Sequence, residues 1–204
     1  MMTELNTLED VAELYCTPPY VVKALLKRET FPGSIWEPAA GEGDIVKILL
    51  ECGYRDVQAS DLHDWEFQPC RTEDFLKSTY ESDSLVTNPP YSLKAKFLTH
   101  AKRLVRHKIA MLLPLDFEYT GCFLSHHRSD PTFSWKALYG FVQGIGWLKR
   151  TDRSGRRKVG WFVFERGYRG PVIRETIQFR PNRSVNQPDN LAVITKKTGT
   201  TTLL

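Results

Sequence analysis

Between Ser34 and Leu113 the chain alternates short apolar runs of strand type with stretches of helical periodicity, and few architectures accept that alternation. Ser34 to Glu37 reads as a strand ending in Pro38 and a glycine-containing turn. Asp44 to Cys52 follows as a helix, with Asp44 as cap or first-turn acid and Gly53 as stop. Asp56 to Ser60 reads as a second strand ending at Asp61, and Ser84 to Thr87 as a third, directly before Asn88-Pro89-Pro90-Tyr91. Leu93 to Arg106 holds Phe97, Leu98, Ala101, Leu104 and Val105 in helical register, and Lys108 to Leu113 reads as a strand buried on both faces. Upstream, Pro19 to Arg28 places Val21, Val22, Leu25 and Leu26 on one helical face. Strand and helix therefore alternate at least three times. This predicts an α/β fold, a mostly parallel sheet with helices on both faces.

Sheets of that kind bind ligands at the carboxyl ends of their strands. The Pro38 to Gly43 turn, Asp61 and Asn88 all fall at predicted strand ends, so three motifs converge on one edge. In EPAAGEGD, Glu37 to Asp44, two glycines two apart lie between a strand and a helix, a geometry for close approach of a ligand to backbone. The third glycine of the dinucleotide fingerprint is absent, so a plain structural turn stays open for this motif alone. Asp61, twenty residues past Gly41, is placed to accept hydrogen bonds from ribose hydroxyls; read alone, it is an acid at a strand–loop junction. Asn88-Pro89-Pro90-Tyr91 is the more specific signal. The Asn88 amide can accept from an amino group while its own NH2 donates elsewhere, and the Pro89 carbonyl adds an acceptor. Tyr91 offers a face on which a planar base can stack. Together they describe a pocket for a flat ring bearing an exocyclic amine, against the alternative of a proline-rich turn with a packed tyrosine.

EPAAGEGD, then ASDL, then NPPY, in that order and spacing, resembles the S-adenosylmethionine-dependent amino-methyltransferases of the DNA adenine type. The likeness covers roughly residues 14 to 115, with a looser match to Glu165, and the compact size resembles phage-type members. It implies a Rossmann-like class I methyltransferase fold with an antiparallel hairpin near the C-terminus, and S-adenosylmethionine as cofactor. It also implies residue roles. Tyr15-Cys16-Thr17-Pro18-Pro19 resembles the segment that packs over the methionine end of the cofactor. Glu37 would face the methionine amino group, directly or through water, Ala39, Gly41 and Gly43 would line the cofactor, Asp61 would hold the ribose, and Leu62 would also belong to the cofactor site. Asp74 would contact the adenine amino group and Phe75 its face; Asn88, Pro89, Pro90 and Tyr91 would form the catalytic loop. The implied reaction moves a methyl group from a sulfonium to the exocyclic nitrogen of adenine in DNA. RNA adenine, a protein glutamine side chain, and a non-catalytic nucleic-acid-binding module are the alternatives. Glu37-Pro38, in place of the Asp-x-Gly start common among glutamine enzymes, weighs against glutamine.

Charge adds a partner. The 204-residue chain has a net charge of +4, but Lys149 to Arg183 holds eleven Lys or Arg against three acids. Such asymmetry suggests a face that meets polyanions, against the alternative of a solvated surface. Within it, Lys149, Arg150, Arg153, Arg156, Arg157 and Lys158 are the candidate nucleic-acid contacts, on a turn expected between strands at Trp147 to Arg150 and Val159 to Glu165. Beyond Gly170 the chain turns polar, so residues 1–170 are expected as the catalytic domain and 171–204 as a polar, partly disordered extension, frayed from about Lys196. Target selection is left to that short extension or to Phe117 to Tyr139. His126-His127 reads as surface, and no metal is called for. The longest apolar run, Ile109 to Leu115, is seven residues against the roughly twenty that span a bilayer. The four cysteines have no metal-knuckle or redox spacing, and the first residues lack a secretory pattern. The expectation is a cytoplasmic protein with no membrane partner.

Overall fold

The apolar runs become the strands of one sheet, and the periodic stretches become helices that cover it. The computed structural model describes residues 16–142, 145, 158–180 and 192–197, with no account of the side chains of 179, 180 and 192–197. The elements in order are α1 (Pro19–Leu26), β1 (Ile35–Glu37), α2 (Asp44–Glu51), β2 (Val57–Asp61), β3 (Arg71–Thr72), β4 (Ser82–Thr87), α3 (Lys94–Leu104), β5 (Val105–Pro114), α4 (Gly121–His126), β6 (Phe133–Phe141), β7 (Val159–Arg166), β8 (Ile173–Arg180) and β9 (Ala192–Lys197). The sheet runs β3-β2-β1-β4-β5-β7-β6-β8-β9. The first five of these strands are parallel to one another, and β7 lies antiparallel between β5 and β6.

Packing follows the periodicity. Val21, Val22, Ala24 and Leu25 of α1 and Ile45, Ile48 and Leu49 of α2 pack on one face of the sheet, in a cluster with Ile35, Val86, Ala110 and Leu112. Phe97, Leu98 and Ala101 of α3 join Trp36, Leu85, Ile109, Met111 and Leu113 in a second cluster. Alternate residues of β5 thus enter opposite clusters, as the two-residue repeat of a strand buried on both faces demands.

Past Pro114 the structure departs from the sequence reading. Phe117 to Tyr139, one of the two segments left to select the target, sends Phe117, Phe123, Phe133 and Trp135 into the core and forms β6, an inner strand, while most of residues 119–132 are exposed. His127 is 2% exposed rather than on the surface, with its ring 6.4 Å from those of Phe117 and Phe123. Adjacent residues at a helix end need not share an environment, and His126 is exposed. Burial, with Lys102 nearby, pushes the His127 pKa down to about 4. The polar stretch after Gly170 supplies β8 and β9 to the same sheet, and β9 includes Lys196. The expected strand at Trp147 to Arg150 lies outside the described residues. Val159 to Arg166 does form a strand, paired with β5 and β6.

Candidate active site

Because β1, β2 and β4 are parallel neighbours, Glu37, Asp61 and Asn88 emerge at one edge of the sheet. A chain of hydrogen bonds joins them. Glu37 is fully buried at the end of β1, where its Oε1 accepts from the Ala39 amide at 3.0 Å and the Thr87 hydroxyl at 2.5 Å. The Ala40 amide donates to the Ser60 carbonyl at 3.0 Å, and the Gly41 amide to Asp61 Oδ2 at 2.9 Å. Thr87 immediately precedes Asn88, whose Nδ2 donates to Thr17 Oγ1 at 3.1 Å. One network therefore fixes the glycine turn, the second strand end, the Asn-Pro-Pro-Tyr loop and the segment before α1 relative to one another.

Glu37 is the outlier of the network. Its second oxygen, Oε2, is buried with no hydrogen-bond partner among the described residues. Burial pushes the carboxyl up to about 8, against the lowering effect of the Thr87 and Ala39 donors and with a further upward push from Asp61. Buried polar atoms are nearly always paired, so an orphaned carboxylate oxygen calls for an explanation. It fits a cationic ligand group that completes the site.

The glycines are where the backbone needs them. Gly41 and Gly43 have φ of 51° and 81°, the left-handed region that side chains disfavour. A Cβ on Gly43 would also lie 2.4 Å from the Phe67 ring, so the turn has no room for a side chain. Phe67 and Trp65 escaped the sequence reading; their signal was only an aromatic-rich loop after Asp61. Trp65 Nε1 and the His63 amide each donate to Asp61 Oδ1 at 3.0 Å. Asp61 thus already accepts three protein hydrogen bonds, and a carboxylate has about four acceptor positions. Next to it Leu62 is 58% exposed, an apolar side chain open beside a polar turn.

Other expected residues sit differently. Thr17 and Pro18 are buried beside the loop, and Tyr15 lies outside the described residues. Asp74 caps the turn at 75–77 through the Leu76 amide and pairs with Lys77, both at 3.0 Å. Phe75, expected to offer its ring to an adenine, is 2% exposed and enclosed by Trp36, Phe97 and His100 at centroid distances of 4.6–5.1 Å. Core packing has claimed that ring. Tyr91 is 3% exposed within the cluster that includes Val21 and Val86, so stacking on it requires its cover to move. Of the basic candidates only Lys158 is described; it is exposed, and it leads into β7 beside the end of β5.

No family model matches the sequence, and no curated protein sequence matches it. Solved structures do match in fold. A type I restriction-modification methyltransferase subunit from Streptococcus thermophilus aligns with a TM-score of 0.57 at 12% identity, over 83% of this chain and 49% of that one. A candidate RNA methyltransferase from Pyrococcus horikoshii aligns with a TM-score of 0.62 at 15% identity, over 76% of this chain and 88% of that one. A candidate class I S-adenosylmethionine-dependent methyltransferase from Listeria monocytogenes gives 0.54 at 14% identity, over 76% and 63%. The fold is the class I methyltransferase fold. The chain spans about half the length of the type I modification and methyltransferase subunits it matches.

Proposed function

We propose that this protein is an S-adenosylmethionine-dependent methyltransferase that modifies the exocyclic amino nitrogen of adenine in DNA. The observation that carries the reading is the buried, half-satisfied Glu37 carboxyl on the same hydrogen-bonded edge as Asp61 and Asn88. When bound, S-adenosylmethionine supplies a methyl group activated by its sulfonium. Glu37 Oε2 would take the methionine ammonium, a cation that satisfies the orphaned oxygen and favours the ionised carboxyl. The Gly41 to Gly43 turn would let the ligand approach the backbone closely. Asp61 would hold the ribose through its remaining acceptor position or by exchange with the Trp65 indole, and Leu62 would cover the adenine.

Asn88 and Pro89 act on the other reactant. An aromatic amine is a poor nucleophile because its lone pair is drawn into the ring. Acceptors from the Asn88 amide and the Pro89 carbonyl favour a tetrahedral nitrogen and stabilise the positive charge that grows on it as the methyl arrives. The bond from Asn88 Nδ2 to Thr17 sets which way the amide faces. A base within a duplex must be extruded to reach this loop.

Adenine in RNA is the second reading, favoured by one observation: the chain matches most of the candidate RNA methyltransferase but only half of the type I subunits. Transfer of labelled methyl to DNA, RNA and protein pools, run side by side, separates them. The expected outcome is label in DNA, retained on adenine after hydrolysis. Asn88→Ala should lower turnover by about a hundredfold or more while cofactor affinity stays nearly intact, since its partner charge develops only during the reaction. Turnover of Asn88→Ala within threefold of the parent would remove Asn88 from the chemistry.

A further inference from the structure

The turn after β5 presents an aromatic ring to solvent at the catalytic edge. Pro114 pairs with Val159 where β5 ends and β7 begins, and Leu115–Tyr119 then winds into a short helical turn. Phe117 anchors that turn in the core, 5.3 Å from the Phe123 ring and 5.9 Å from that of Phe162. Lys94 ties it to the Asn-Pro-Pro-Tyr loop, donating to the Tyr91 carbonyl at 2.9 Å while its ammonium lies 5.9 Å from the Phe117 ring centroid. Two residues past Phe117, Tyr119 is 76% exposed, more than any other large hydrophobic side chain among the described residues.

Single exposed apolar side chains are ordinary. Tyr119 differs because the turn that carries it is anchored on its inner side. Phe117 is buried in the core, and the neighbouring Glu118 is 8% exposed and pinned by Arg174 at 2.6 Å. Arg174 in turn lies 5.0 Å from the Trp135 ring centroid. A ring carried on a backbone fixed in advance loses less entropy when something settles on it. An exposed cation sits at the base of the turn. Lys158 is exposed, and its carbonyl accepts from the Leu115 amide at 3.0 Å. In sequence it closes the basic run that holds Arg153, Arg156 and Arg157. Arg174 neutralises Glu118, leaving Asp116 as the exposed acid of the turn.

We propose that Tyr119 is a stacking platform for a base of the polynucleotide substrate, beside the base presented to Asn88. This rests on the nucleic-acid reading above and adds a recognition residue outside the Asn-Pro-Pro-Tyr loop. A planar exposed ring on a turn that also meets an exposed lysine offers the stacking and charge contacts that unstacked nucleic acid uses.

The test is binding of a fluorescent, adenine-containing oligonucleotide, single-stranded and duplex, to the parent, Tyr119→Ala and Tyr119→Phe, with S-adenosylmethionine affinity measured for each. Tyr119→Ala should weaken oligonucleotide binding about five- to a hundred-fold, Tyr119→Phe should stay within threefold of the parent, and cofactor affinity should not move. The ring is exposed, so neither change threatens folding. Parent-like binding by Tyr119→Ala, with the parent binding both ligands, overturns the platform and leaves the methyltransferase reading standing. Equal loss in Tyr119→Phe and Tyr119→Ala also overturns it, assigning the hydroxyl instead of the ring. A parent that binds cofactor but neither oligonucleotide overturns the platform and the nucleic-acid substrate together.

Discussion

Two buried glutamates, one at each edge of the parallel strands, are treated in opposite ways. Glu29, 3% exposed, precedes β1 and has both oxygens engaged: Oε1 by the Tyr139 hydroxyl at 2.8 Å, Oε2 by Lys108 at 2.8 Å and Lys136 at 2.9 Å. Glu165 closes the square, 3.0 Å from Lys108 and 2.8 Å from Lys136. The charges there are matched, and the proximity of Glu29 and Glu165 raises the Lys136 pKa despite its burial. Glu37, at the edge shared with Asp61 and Asn88, has two neutral donors on one oxygen and none on the other among the described residues. A structural carboxylate is given its cations by the fold; Glu37 is left short of one. The missing cation is what a ligand would bring.

Replacing each carboxyl by the amide of the same shape should expose that difference. Glu29→Gln leaves Lys108 and Lys136 with Glu165 as their remaining carboxylate, and is expected to cost about 3 kcal/mol or more, because an undercompensated buried charge is left behind. A lower urea midpoint at unchanged slope is the readout. Glu37→Gln should cost nothing at neutral pH. Its folded pKa, about 8, is raised above the ordinary 4.5, so the protonated carboxyl contributes stability that is present at low pH and lost as pH rises through 8. Above pH 8 the Gln variant should therefore be the more stable protein. Equal losses for the two variants would erase the distinction between the edges.

Asp61→Ala sharpens the comparison from the neighbouring strand. Losing the ribose contact, and with it the acceptor for the Gly41 amide, should weaken S-adenosylmethionine binding by over a hundredfold, about 3 kcal/mol. Calorimetry showing unchanged affinity would take Asp61 out of the site.

How much of this was readable beforehand follows the range of the interactions. That Glu37, Asp61 and Asn88 meet at one edge was legible because each part is local: a strand, then a turn residue, repeated three times, with parallel topology bringing them together. The opposite edge was not. Lys108 stands directly before an apolar run, and nothing near it in sequence announces Glu29, 79 residues away. Phe75 was expected to face an adenine on the resemblance alone, yet its ring packs on Trp36 and Phe97 from other elements. His127 and β6 failed for the same reason. The 117–139 segment lacks a clean period, and Phe117 and Phe123 are core because β7 supplies Phe162 and Phe164 against them, while Tyr119 stays exposed. The unpaired Glu37 oxygen was also beyond sequence, since only packing shows which lone pairs remain unused.

The central claim is that Glu37 waits for the cofactor's ammonium, and S-adenosylmethionine affinity against pH tests it most directly. The cation binds the ionised carboxyl, while the unliganded group is protonated below about 8. For the parent, affinity should rise by up to about tenfold per unit between pH 6 and 7.5, with protons released on binding. Glu37→Gln should bind far more weakly, with no such slope. Equal affinity and equal slope in the two proteins would contradict the account.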